Sequence, residues 1–147
     1  MAEMATAIDM HLRLVAIFPN LATTPYAVTS PPTDTYNCIA WAAGDDEKFW
    51  WPGRFWPKDI PAAVTRLAFI KAFTELGYEV CANPDLEEGF EKICLYEKLG
   101  KPTHAARQLL DGRWTSKLGR SHDISHLLEG LKGKLYGKPA VFMKRAT

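Results

Sequence analysis

No apolar run in this sequence approaches the roughly 20 residues needed to cross a bilayer, so contact with a membrane is not expected. Neither sign of charge is in surplus: 18 Lys and Arg face 17 Asp and Glu, a formal charge of +1. Dedicated nucleic-acid binders usually carry a basic excess, and no nucleic-acid partner is expected either. Cysteine is scarce and odd in number, at three. Residues 1–8 hold no basic stretch of the secretory type, so a cytoplasmic chain with reduced thiols is expected, unless another secretion machine delivers it. There is no internal repeat and no low-complexity linker. The 147 residues make one domain, because two would leave each half too small for its own core. Composition, 47% hydrophobic and 24% charged, excludes disorder and collagen-like repeats. What the chain has in plenty is aromatic residues: five Trp, with Trp41, Trp50, Trp51 and Trp56 close together.

Periodicity divides the chain into helical and extended parts. Ile8, Leu12, Val15 and Phe18 fall at helical spacing, and Pro19-Asn20 ends that run. Pro25, Pro31 and Pro32 in a Thr- and Ser-rich stretch predict a long loop over 21–35. Residues 36–44 predict a short buried helix, with Thr35 or Asn37 as N-cap and Gly44 as stop. An aromatic loop follows over 49–57. Pro61 then opens an amphipathic helix carrying Val64, Leu67, Ala68, Phe69, Phe73 and Leu76, closed by Gly77. Strands are expected at 78–82, 92–96, 103–109, 113–118 and 139–144, the third and fourth forming a hairpin across Asp111-Gly112. Residues 122–131 read as a short helix. Helices first and an antiparallel sheet afterwards is the α+β class.

Cys38 is the first candidate for chemistry. A thiol in the first turn of a helix faces unpaired N–H groups that favour the thiolate, so its pKa should fall below the usual value of about 8.5. The plainer reading is a small buried hydrophobe. His104, at the start of a strand, is a candidate base for that thiol. A three-residue hairpin loop of Leu110, Asp111 and Gly112 sets Ala106 opposite Ser116, and His104, Ala106, Trp114 and Ser116 then share a face with Arg107 and Lys117 toward solvent. A two-residue turn would bring Thr115 and Lys117 beside His104 instead.

Other features have plain explanations. His122 and His126, with Asp123, have a spacing that could hold a metal on a helix, but a polar helix start accounts for them, and neither a metal nor a cofactor is expected. Cys81 and Cys94 form no CxxC and read as buried, inert core. Trp50, Trp51, Phe55 and Trp56 either stack on a ligand or cover the core. Lys132, Lys134 and Lys138 read as a solvated face.

The pieces Asn37-Cys38-Ile39-Ala40-Trp41-Ala42, Thr103-His104-Ala105-Ala106 and Asp111-Gly112-Arg113-Trp114-Thr115-Ser116 appear in the order found in the NlpC/P60 group of papain-like cysteine peptidases and amidases. The chain resembles that group over residues 36–145, about three quarters of its length, with 1–35 as an N-terminal helix and loop extension. It also resembles a family of small bacterial proteins carrying the Tyr-Asn-Cys-Ile-Ala-Trp-Ala signature, whose activity is unassigned. The first resemblance implies a papain-like fold, with a helix starting at the cysteine packed on the sheet. It also implies a cysteine-dependent hydrolase or transferase that acts on an amide bond through a thioester. Cys38 would be the nucleophile and His104 the general base, with the two within about 3–4 Å. The third position, usually His, Asn, Gln or Glu, falls on Ser116, and Asp123 or His122 is the substitute from a neighbouring loop. Asn37, Trp41, Trp51, Trp56 and Trp114 would face a peptide or other amide-containing substrate. The alternative is a non-catalytic module on the same fold that binds a protein or ligand through loop 49–57.

Overall fold

The computed structural model describes residues 2–147. Three helices, α1 (Ala2–Ile17), α2 (Cys38–Ala42) and α3 (Arg66–Thr74), accompany seven strands: β1 (Tyr26–Ser30), β2 (Glu79–Cys81), β3 (Phe90–Lys98), β4 (Lys101–Gln108), β5 (Trp114–Lys117), β6 (Asp123–His126) and β7 (Lys138–Ala146). The strands form one antiparallel sheet in the order β1-β6-β5-β4-β3-β7-β2. The class is α+β.

Local chemistry explains the helix ends. Asn37 caps α2, its Oδ1 accepting from the Ala40 N–H at 3.2 Å, and Thr65 caps α3 in the same way through Ala68. That cap moves the start of α3 from the expected Pro61 to Arg66, because Pro61 and Ala63 are taken up in a preceding turn. Two other expectations are corrected. The proline-rich stretch contains a strand, β1, whose prolines stand outside the paired segment. Residues 122–131 are not a helix but β6 followed by a single 3₁₀ turn, Leu128–Leu131, since pairing with β1 and β5 wins over a weak helical pattern.

The sheet carries a core on each face. On one face α2, α3 and the aromatic loop cover Ile93, Leu95, Ala105, Val141 and Met143. On the other, Leu14, Phe18 and Leu21 pack with Cys94, Tyr96, Ala106, Trp114, Ile124 and Tyr136. Side chains alternate across a strand, so neighbours on β4 serve opposite cores. Arg66 ties α3 to the sheet through a two-pronged bond to the nearly buried Glu97, at 2.8 and 2.6 Å.

The β4–β5 hairpin has the three-residue loop. Arg107 pairs with Thr115 and Gln108 with Trp114, Leu109 N–H reaches Arg113 O, and Gly112 takes φ +90°. The ladder ends there, and β4 and β5 diverge beyond Arg107. This opening is where the candidate residues gather.

The segment that returns to β7 is pinched by paired N–H···O bonds between Gly133 and Gly137. Gly137 has φ +78°, and a Cβ there would lie 2.0 Å from the carbonyl oxygen of Glu97. Gly137→Ala should therefore destabilise the protein by on the order of 3 kcal/mol, against about 1 kcal/mol for Gly119→Ala, which meets open space. Denaturant titration checks this, and equal costs would mean that the segment yields freely.

Candidate active site

Cys38 begins α2 and is buried. Burial is the largest influence on its thiol and pushes the pKa up to about 11, against the N–H groups of Ala105, Ile39 and Cys38 itself and the charge of Lys117, which pull it down. The expectation of a depressed pKa is thus corrected: one short turn of helix does not offset the desolvation of a buried thiol. Cys38 packs in the core on the α2 side of the sheet, together with Ala105, which stands one residue along β4 from His104. Trp41 holds α2 against β5, its indole N–H donating to Thr115 Oγ1 at 3.0 Å.

His104 is fully buried and points to the opposite core from Ala105, beside Tyr96 and stacked on Tyr136 with ring centroids 4.0 Å apart. Its Nε2 lies 2.9 Å from Ser116 Oγ, on the face that the hairpin register gives both residues. Its Nδ1 is buried and has no hydrogen-bond partner. The expected bond between Cys38 and His104 is therefore absent. A thiol is a weak donor, and His104 points to the core opposite the one that holds Cys38. Burial, with the charge of His126 second, holds the pKa of His104 well below its ordinary value. Both partners are neutral at rest.

Ser116 also lies 2.7 Å from Nε2 of His126, whose Nδ1 meets the carbonyl oxygen of Leu127 at 2.8 Å. His126 is the functional candidate that sequence reasoning misplaced, as half of a helical metal pair. The signal was the Gly119 turn: a hairpin there puts Ser116 opposite Ile124 and His126 on the face of His104. Among the described residues, no group of three or more His, Cys, Asp or Glu is arranged to hold a metal.

The remaining candidates lie elsewhere. Asp123 is buried and accepts from the Tyr36 hydroxyl at 2.6 Å, with Oδ1 unpartnered, so it does not orient His104. His122 bonds its neighbour Ser121. Lys117 is not solvated as expected but fully buried, its ammonium held by the carbonyls of Gly119 and Ser121. Asn37 is buried and spends its amide on both the N–H and C=O of Trp50. Trp114 is in the core, and Trp50 is sealed with its indole on Asp45. Trp51 and Trp56 are half-buried against Phe69. Cys94 is buried as expected, whereas Cys81 is partly exposed because β2 is an edge strand.

Residues 27–144 match a family model described as a domain of unknown function, DUF7689. The chain belongs to that family. Neither a curated protein nor a solved structure matches it. The DUF7689 match runs from β1 into β7 and so includes Cys38, His104, Ser116 and His126, while α1 precedes it. Among the described residues, no helix is long and apolar enough to cross a membrane.

The two buried histidines give the site a pH signature. Unfolded, each takes a proton below about pH 6.5; folded, His126 does so only near about 4 and His104 well below its ordinary value. Well above pH 6.5 both histidines are neutral folded and unfolded, and protonation takes nothing from stability. As pH falls from there, each subtracts up to about 1.4 kcal/mol per pH unit, until its folded pKa is reached. Denaturant midpoints between about pH 7.5 and 5 should fall steeply in the native protein and less steeply in His126→Phe. Equal slopes would contradict burial of a neutral His126.

Proposed function

We propose that the protein is a cysteine-dependent hydrolase or transferase acting on amide bonds, with Cys38 as nucleophile and His104 as general base. What supports this reading is the bare, buried Nδ1 of His104 on β4, the strand against which the Cys38 helix packs. Cys38 is grouped with Ala105 in the core on the other face, so proton transfer needs the two groups to shift toward each other. An imidazole nitrogen without a partner is costly in a core, and a thiol proton is what such a nitrogen would accept. The neutral resting pair favours proton transfer concerted with attack over a stored ion pair.

In that reaction His104 Nδ1 takes the thiol proton as sulfur bonds to the substrate carbonyl carbon. Collapse of the tetrahedral adduct breaks the C–N bond, and the imidazolium returns the proton to the departing amine. The thioester left on Cys38 is then attacked by water or by a second amine, which gives hydrolysis or transfer. The Ala105 and Ile39 N–H groups, already near the sulfur, would face the developing oxyanion. Papain-like architecture is part of this proposal: an α+β domain, a cysteine opening a helix and a histidine on the sheet strand beside it support it.

His104 is fully buried and Cys38 nearly so. The catalytic reading therefore requires the Tyr136 segment, which covers His104, to move. The closed site and the high thiol pKa favour a second reading, a non-catalytic binding module. Its surface would be the exposed Phe55 with the half-buried Trp51 and Trp56 of loop 49–57.

An activated acyl ester separates the two. In a Cys81→Ser background, intact and peptide mass spectrometry should find the acyl group on Cys38, with the adduct lost in Cys38→Ala and at least about a hundredfold slower in His104→Ala. An unmodified Cys38, or labelling indifferent to His104, would remove the enzyme reading. With iodoacetamide near neutral pH the partly exposed Cys81 should react before Cys38, reversing the order that helix position alone suggests.

A further inference from the structure

We propose that His126 is a positioning residue: through Ser116 it fixes His104 in the tautomer with Nε2 protonated and Nδ1 bare. The protons can be counted along one chain of hydrogen bonds. The carbonyl of Leu127 can only accept, so His126 Nδ1 carries a hydrogen. His126 is buried and neutral, which leaves its Nε2 as a lone pair. At 2.7 Å that lone pair requires the single proton of the Ser116 hydroxyl, because two facing lone pairs would repel. The Ser116 oxygen, its proton spent, can only accept from His104, so His104 Nε2 is N–H. A neutral imidazole has one N–H, and Nδ1 is therefore bare. That nitrogen is the one without a partner.

The chain thus runs in one direction, from His104 through Ser116 and His126 to the Leu127 carbonyl, and the last member sets the first. Ser116 alone could not do this. A lone hydroxyl rotates and would serve either tautomer of His104 equally well; His126 removes the choice. The catalytic weight of this assignment rests on His104 acting as base for Cys38, whereas the tautomer itself does not.

Imidazole ¹⁵N–¹H correlation spectra of ¹⁵N-histidine-labelled protein near neutral pH test it directly. The native protein should show His104 protonated only at Nε2 and His126 only at Nδ1. In His126→Phe the Ser116 proton is released, and an Nδ1-protonated population of His104 should appear. Ser116→Ala should have the same effect, and in both variants acylation of Cys38 by the activated ester should slow by about tenfold or more. Ser116→Thr, which keeps the hydroxyl, should restore the native tautomer. A native His104 protonated at Nδ1, or a tautomer unchanged in folded His126→Phe and Ser116→Ala, overturns the proposal, and the native spectrum decides even if a variant fails to fold. Native tautomers as assigned, without acylation of Cys38, support the positioning role and remove only the hydrolase reading.

Discussion

One hydroxyl proton lies between two buried imidazoles, and much of this structure depends on how it is shared. Ser116 reaches His104 on one side and His126 on the other, with no water-exposed surface on any of the three. An unmet polar group in such a core costs about 1–3 kcal/mol, so the three strands that carry them are held in one register by hydrogen bonding as well as by apolar packing. A slip of one residue on β5 would send Ser116 to the other face, leaving His104 without a partner and His126 with the Leu127 carbonyl alone. The hairpin loop at Asp111-Gly112 and the turn at Gly119 are the local devices that prevent it.

The same constraint explains why polar residues recur in a sheet that is covered on both faces. Lys117 and Asp123 occupy paired positions on β5 and β6, and each finds local acceptors or donors: two turn carbonyls for the ammonium, the Tyr36 hydroxyl for the carboxylate. Tyr36 precedes the Asn37 cap of α2, and the Asn37 side chain binds the backbone of Trp50. The aromatic loop, the Cys38 helix and the polar end of the sheet are therefore one connected unit. Most of the tryptophans serve to seal it, which is why residues that look like a ligand platform in the sequence turn out half or wholly buried.

Much of the site is legible in the sequence because its determinants are local. Asn37 and Gly44 bracket a short apolar stretch, and that alone specifies α2. Asp111-Gly112 specifies a turn, and choosing the three-residue loop brings Ser116 to His104. The illegible parts depend on partners distant in the chain. β1 is masked by prolines until β6 pairs with it, and β6 looks helical until both its neighbours are known. Reading 122–131 as a helix moves His126 away from Ser116 and makes it resemble a metal ligand.

Capping, turn chemistry and side-chain alternation each act over a few residues. From them alone follow the α+β class, the capped helix that starts at Cys38 and the hairpin register that joins His104 to Ser116. The states of these groups are set by the assembled molecule instead. The Cys38 pKa rises because the whole molecule excludes water from the sulfur, against the pull of the nearby N–H groups. Lys117 is buried because α2 covers a face that alternation alone assigns to solvent. The bare nitrogen of His104 is set by a carbonyl two strands away, through hydrogen bonds that exist only once β4, β5 and β6 lie side by side. Desolvation and hydrogen-bond direction are properties of an assembled interior, and no short window of sequence contains them.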